Sequence, residues 1–311
     1  MGAPSSRESL PENAAFRLGL SATPERWFDD TGTQSLLKYF GQIVFELGLR
    51  DAISIGALCK YDYFPHIVEL TSDELAQYLE ITAQIGRVSG HDSAGGDSDA
   101  SDEKVKMLLI RRAQLIAVAR NKLPRLEEAI RPLARTTHNL VYCGTGKVEM
   151  EDDASVRQLD AVVQLLGNDL GMCVNSYTAE TYLDERDELR KHFVDGTLQA
   201  LVAIRCLDEG IDIPETRRAF ILASSSNPKQ FIQRRGRILR QALGKKLAEI
   251  HDFLVIPPSD AFTSDLFAIE RKLLRKELLR VLEFAELADN GPKAMEILLP
   301  LRMKYSLLDM G

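Results

Sequence analysis

The chain has 311 residues, 45% hydrophobic and 27% charged, with a net charge of −7. That composition excludes a disordered tail and allows one large or two ordinary globular domains with a substantial core. No apolar run reaches the roughly 18 residues of a membrane span and no signal-peptide pattern opens the chain, so the sequence reads as cytoplasmic with no membrane partner. Much of the acidity is local. Ser89 to Glu103 holds five acids (Asp92, Asp97, Asp99, Asp102, Glu103) and neither Lys nor Arg, which leaves a near-neutral body able to carry a local basic groove. The cysteines Cys59, Cys143, Cys173 and Cys206 form no CxxC pair, and the five histidines show no HxxxH or HExxH spacing. The expectation is buried reduced thiols, and no metal held by Cys or His.

In chain order, a polar, turn-rich opening leads into Arg17 to Leu20, which reads as a buried strand, followed by Ser21-Ala22-Thr23-Pro24. Ser35 to Phe40 reads as a helix. Alternation over Tyr61 to Val68 predicts a strand, with Pro65 at a bend or an edge. Ser72 starts a helix with acids in its first turn, running to about Ile85. Residues 88–103 are too poor in apolar side chains to offset ordering entropy and read as a disordered acidic loop. Helices are expected over Asp102 to Asn121, with Arg111, Arg112 and Arg120 on the solvated side, and over Pro124 to Leu133.

From His138 to Ile256 short apolar runs alternate with amphipathic ones. Strands are predicted at Asn139 to Cys143, Met172 to Tyr177, Leu201 to Arg205, Ala219 to Ala223 and Ile250 to Ile256. Helices are predicted at Ala154 to Leu166, Leu183 to Val194 and Lys229 to Ala242. The alternation implies an α/β doubly wound parallel sheet covered on both faces, with ligands beyond the carboxyl ends of its strands. A long helix from Ser264 to Ala288 and a short one from Lys293 to Leu301 close the chain.

Three stretches carry chemistry. Gln230 to Arg240, QFIQRRGRILR, sets Arg234, Arg235, Arg237 and Arg240 in one short segment, and their repulsion calls for carboxylates or phosphate oxygens. Cys206 to Pro214, CLDEGIDIP, follows a strand directly, and Gly210 permits an unusual backbone angle or close approach of a ligand. Ser21 to Pro24 follows an apolar run. These resemble, in order, motifs VI, V and III of the superfamily 2 helicases. Leu140 to Cys143 takes the place of motif IV and Thr178-Ala179 falls before a helix, as in the family. The resemblance is strongest from His138 to Arg240 and points to the XPB-like and restriction-enzyme-like DNA helicases of prokaryotes.

The resemblance implies a RecA-like second domain over 138–258, a remnant of the first over 1–60, a connecting region over 61–137 and C-terminal helices over 259–311. It implies that Arg237 and Arg240 are arginine fingers on ATP, and that Gly210, Asp212, Gln233 and Arg234 contact or support the nucleotide. Ser21 and Thr23 would couple the nucleotide and nucleic-acid sites. Ile204-Arg205 stands where many RNA helicases of the family have Thr-Asp, so a threonine contact to the phosphate backbone is not expected.

The sequence contains no GxxxxGK[ST] loop and no DExH strand end. Gly144-Thr145-Gly146-Lys147 has no glycine five residues before Gly146, and Val148 stands where Ser or Thr is required. Asp73-Glu74 and Asp187-Glu188 fall inside amphipathic helices. ATP and Mg²⁺ are therefore expected only with a complementary N-terminal helicase half, and the partner is nucleic acid, DNA by the resemblance. The alternative is a non-catalytic nucleic-acid-binding or regulatory module derived from a helicase. An unrelated doubly wound nucleotide enzyme would need a Gly-rich first turn opening a helix, and the Gly144 turn lacks the third glycine.

Overall fold

A computed structural model describes residues 11, 13–21, 30–91, 98–149, 155–204, 213–223, 235–258 and 261–308. Its centre is a six-stranded, wholly parallel sheet in the order β1-β8-β7-β2-β6-β5. The strands are β1 (Lys60–Val68), β2 (Asn139–Cys143), β5 (Val174–Tyr177), β6 (Ala200–Ile204), β7 (Arg218–Ile221) and β8 (Leu247–Val255). β2 is buried along its whole length, as a strand covered on both faces must be. The expected doubly wound class is thus observed.

Helices cover the sheet unequally. On one face Tyr61, Tyr63, Tyr142, Leu201, Ile221 and Ile250 pack under α7 (Leu183–Asp195) and under the C-terminal helices α8 (Ser264–Leu287) and α9 (Gly291–Lys304). On the other, Val141, Val202, Phe220 and Phe253 meet α3 (Ser72–His91), α5 (Lys122–Ile130) and α6 (Gln158–Gln164). Gly196 ends α7 at φ 82°, a left-handed cap that a side chain would strain. No helix among the described residues is long and apolar enough to cross a membrane.

Pro65 sits on an edge strand, as expected, because an edge needs no donor there. The free edge of β1 is closed by the chain after α8. Asp289 N donates to Tyr61 O at 2.8 Å, and the Asn290 side chain both accepts from Tyr63 N at 2.8 Å and donates to Tyr63 O at 3.0 Å. An amide side chain here does the work of a seventh strand.

Several expectations are corrected. Helix α3 continues to His91 and α4 (Ser98–Ala117) begins at Ser98, so residues on both sides of 92–97 are helical where an acidic loop was expected; 92–97 lie outside the described residues. Arg112 is buried, not solvated: it pairs with Glu270 at 3.3 Å, and Tyr78 donates to the same carboxylate at 2.7 Å. A guanidinium can sit inside because the carboxylate is already there. Ser155–Arg157 forms β4, antiparallel to β3 (Lys147–Glu149), and the helix starts only at Gln158. Cys173 is exposed, whereas Cys59 and Cys143 are buried and their thiols shifted upward by burial.

The first segment also departs from expectation. Residues 17–20 form no strand; Leu18 is 77% and Leu20 89% exposed. They lie along α1 (Asp30–Phe40), where Arg17 donates to Tyr39 O at 3.1 Å and its guanidinium stands 4.2 Å over the Tyr39 ring. Residues 42–48 are likewise non-regular, with Val44 90% and Phe45 76% exposed. Contact with the main core begins at α2 (Leu49–Ser54), through Leu49 and Ile53.

A ladder of rings crosses β1, β8 and β7. Phe64 and Phe220 stack on His251, His66 stacks on His251 and Phe253, and the two imidazoles are hydrogen-bonded at 3.0 Å. Burial, then His251, then Arg125 push the His66 pKa down to about 3. An unfolded histidine takes its proton near pH 6.5. Between those values the unfolded chain binds the extra proton, so stability is full at neutral pH and falls as the pH drops below about 6.5, by on the order of 3 kcal/mol at pH 4. Glu249, held low chiefly by its bond with His251, loses its contribution further down. Urea unfolding of His66→Phe across pH 7 to 4 should show a flatter acid slope than wild type; parallel slopes would show that His66 is not the group being protonated.

Candidate functional site

The arginine-bearing segment lies at one edge of the sheet. Residues 235–238 form a helical turn, and Arg240 N closes onto Arg237 O at 3.3 Å. Just beyond it, Arg240 makes an antiparallel bridge with Leu58, and Cys59 N donates to Leu239 O at 2.7 Å. Leu58 precedes β1 by two residues, and β1 starts opposite Leu247, the first residue of β8. Arg240 therefore stands at the amino ends of β1 and β8, not at the carboxyl ends where ligands were expected. The reason is topological: chain leaving the carboxyl end of β7 must return to the amino end of β8, and this turn lies late on the return.

The described arginines differ in their surroundings. Arg235 is buried and forms an ion pair with Asp252 of β8, to which the Tyr63 hydroxyl also donates at 2.8 Å. Burial first, and the Asp252 charge next, keep that phenol protonated far above its ordinary range. The guanidinium is 5.0 Å from the Phe284 ring centroid of α8, within reach of a cation–π contact. Arg237 is half-buried and Arg240 exposed. Arg234 and Gln233 lie outside the described residues, as do Gly210, Asp212 and Thr23; Ser21 is described and exposed.

Beside this turn stands a residue the sequence did not single out. Lys245 is 6% exposed, and its ammonium donates to Pro214 O at 2.9 Å, to Arg240 O at 3.0 Å and, closer still, to Ile238 O. Gly244, at φ 73°, makes the turn that delivers it. Nothing in GKKL distinguishes Lys245 from its exposed neighbour Lys246. Asp252 did carry a signal, an acid inside the apolar run IHDFLV, which needs a buried partner.

At the carboxyl edge, the turn after β2 is closed internally. Gln158 accepts from Gly144 N at 2.7 Å and donates to Ala117 O at 2.9 Å, and a Cβ on Gly146 would lie 2.7 Å from Val118. The Gly144 to Lys147 stretch is therefore packed turn, in keeping with its failure to match a phosphate loop. Among the described residues no three His, Cys, Asp or Glu side chains converge as a metal site.

Residues 122–242 match the model of the helicase conserved C-terminal domain. The chain is 27% identical over 237 residues to the DNA 3'-5' translocase XPB2 of Sulfurisphaera tokodaii, an alignment covering 73% of this chain and 50% of that protein. It thus spans about half the length of that curated relative. Among solved structures, the Sulfolobus solfataricus SWI2/SNF2 ATPase core in complex with dsDNA matches at a TM-score of 0.47 and 15% identity, over 83% of this chain and 56% of that one. The Pyrococcus furiosus Hef helicase domain matches at 0.40 and 15%, over 76% and 63%.

Proposed function

We propose that residues 122–242, which match the helicase conserved C-terminal domain, are the C-terminal domain of a superfamily 2 helicase, and that the chain is the arginine-finger half of an ATP-dependent DNA translocase. In this reading Arg237 and Arg240 neutralise charge on a γ-phosphoryl group whose cradle and Mg²⁺ ligands belong to another domain. Gly210, Asp212, Gln233 and Arg234 line the nucleotide from this side, and Ser21 and Thr23 couple it to the DNA track. The residues present suit half of such a site: they bring cations, and the sequence holds no phosphate loop.

The observation that carries the reading is the bridge between Arg240 and Leu58. It sets the finger candidate against the passage from the exposed N-terminal segments into the sheet. Those segments present apolar residues at alternate positions, Phe16, Leu18 and Leu20, together with Ile43, Val44 and Phe45, all more than half exposed. Period-2 apolar chain with no strand beside it among the described residues suits completion by strands of a second RecA-like domain, which would bring its nucleotide to Arg240.

The test is reconstitution. Alone, with ATP and duplex DNA, the chain should show no turnover above background and DNA binding that weakens steeply with salt. Added to a superfamily 2 first domain bearing both GxxxxGK[ST] and DExH, it should yield DNA-stimulated ATPase. Full activity from the chain alone would overturn the half-site, and DNA binding with no ATPase in the mixture would favour the non-catalytic module.

A further inference from the structure

Two return crossovers meet at the amino edge of the sheet. One runs from the end of β6 through 205–214 to β7; the other runs from the end of β7 through the arginine segment to β8. They are consecutive in the chain and carry the two stretches with the clearest sequence signals. Their meeting point is Lys245, whose ammonium takes Pro214 O from the first crossover and Ile238 O and Arg240 O from the second. Three converging carbonyls match the three donors of an ammonium. Ile238 ends the helical turn, where carbonyls lack intrahelical partners and favour a cation, and Arg240 lies two residues beyond it.

A buried ammonium is costly unless every proton is used. Burial depresses the Lys245 pKa, opposed first by Cys59 and then by Glu215, while Arg217 adds to the depression. Ile238 and Leu239 are buried beneath the same turn and Cys59 N holds Leu239 O, so the ammonium works on an already seated backbone. An apolar side chain of equal length would fill the space and take the ammonium donor away from three carbonyls.

We infer that Lys245 is a positioning residue: it fastens the exit of the 205–214 crossover to the end of the arginine-bearing turn, so the two move as one body. Its consequence for catalysis rests on the proposed function; the fastening itself does not. With Arg237 and Arg240 as fingers, it holds the end of their turn against the chain that leads into β7.

Hydrogen exchange on the isolated chain tests the fastening whether or not the chain is half a motor. Lys245→Met should raise exchange at least about tenfold in peptides covering 213–217 and 236–242, with β2 and β6 unchanged, and Lys245→Arg should restore much of the protection in both. Where Lys245→Met fails to fold, Lys245→Gln, which keeps an amide donor, takes its place in the same comparison. A rise spread evenly over the sheet, or confined to one of the two segments, would overturn the inference. In the reconstituted ATPase the same variant should lower kcat about 10- to 100-fold with KM for ATP little changed, since it displaces a catalytic group and leaves its chemistry intact. Altered exchange with unaltered kcat would retain the fastening and reject its catalytic consequence.

Discussion

Asp252→Ala should lower the unfolding free energy by about 3–5 kcal/mol, because it strands the Arg235 guanidinium inside the protein without its counter-charge. Both side chains are fully enclosed, at 1% and 0% exposure. The Tyr63 hydroxyl would lose its acceptor at the same time. Removing the pair together is a different experiment. Arg235→Met with Asp252→Leu replaces two desolvated charges by apolar groups of similar size and should fall within about 2 kcal/mol of wild type, on either side. Urea midpoints for Arg235→Met, Asp252→Leu and the double complete the cycle. A double variant as unstable as Asp252→Ala would mean that the cost lies in packing around Phe284 and β8, not in the orphaned charge.

That pair also explains how an arginine cluster exists here. The sequence shows four cations crowded together and asks for an anion, and the natural first candidate is a ligand. The structure gives Arg235 an internal answer. Arg235 anchors the turn to β8 and α8, so Arg237 and Arg240 belong to a segment fixed at its start by an ion pair and at its end by Lys245. Desolvated charges are poor sources of net stability, and their use in this position is to hold one geometry.

Most of the sheet was legible because parallel strands buried on both faces must be short and continuously apolar, as LVYC, ALVAI and AFI are. Arg112 was legible too, and misread. It stands four residues after Leu108 and three and four before Leu115 and Ile116, which puts it on the apolar stripe of its helix. The β3–β4 hairpin was hidden because Val156, Leu159 and Val163 continue a helical spacing back through strand residues. Arg17 to Leu20 shows the limit of periodicity: alternation states which residues would share a face, but a strand exists only beside another. The location of Arg240 was not legible, since the rule for parallel sheets points to carboxyl ends and this turn lies on a return path. Lys245 left no trace, because a lysine that caps carbonyls has the same sequence surroundings as one in water.

Arg240→Ala should reduce kcat of the reconstituted ATPase by about 10³-fold or more, and Arg237→Ala by a comparable factor, while leaving the fold intact. Phosphoryl transfer leaves a protein little to do beyond alignment and charge neutralisation, so removing one finger costs about 10³–10⁵ in rate. Stability should barely move for Arg240, which is exposed, since truncation at such a site changes unfolding by about 0.5 kcal/mol at most. The contrast separates these residues from Arg235, whose loss should cost several kcal/mol of stability and so confound any reading of catalysis. Lysine replacements sharpen it further. Arg240→Lys keeps the charge and loses the planar fork that meets two phosphate oxygens at once, so partial activity is expected, well below wild type. DNA affinity and its salt slope should be unchanged in both alanine variants if the arginines serve the nucleotide. If instead DNA binding weakens and ATPase per bound complex is constant, the two side chains contact the DNA backbone and the finger assignment is wrong.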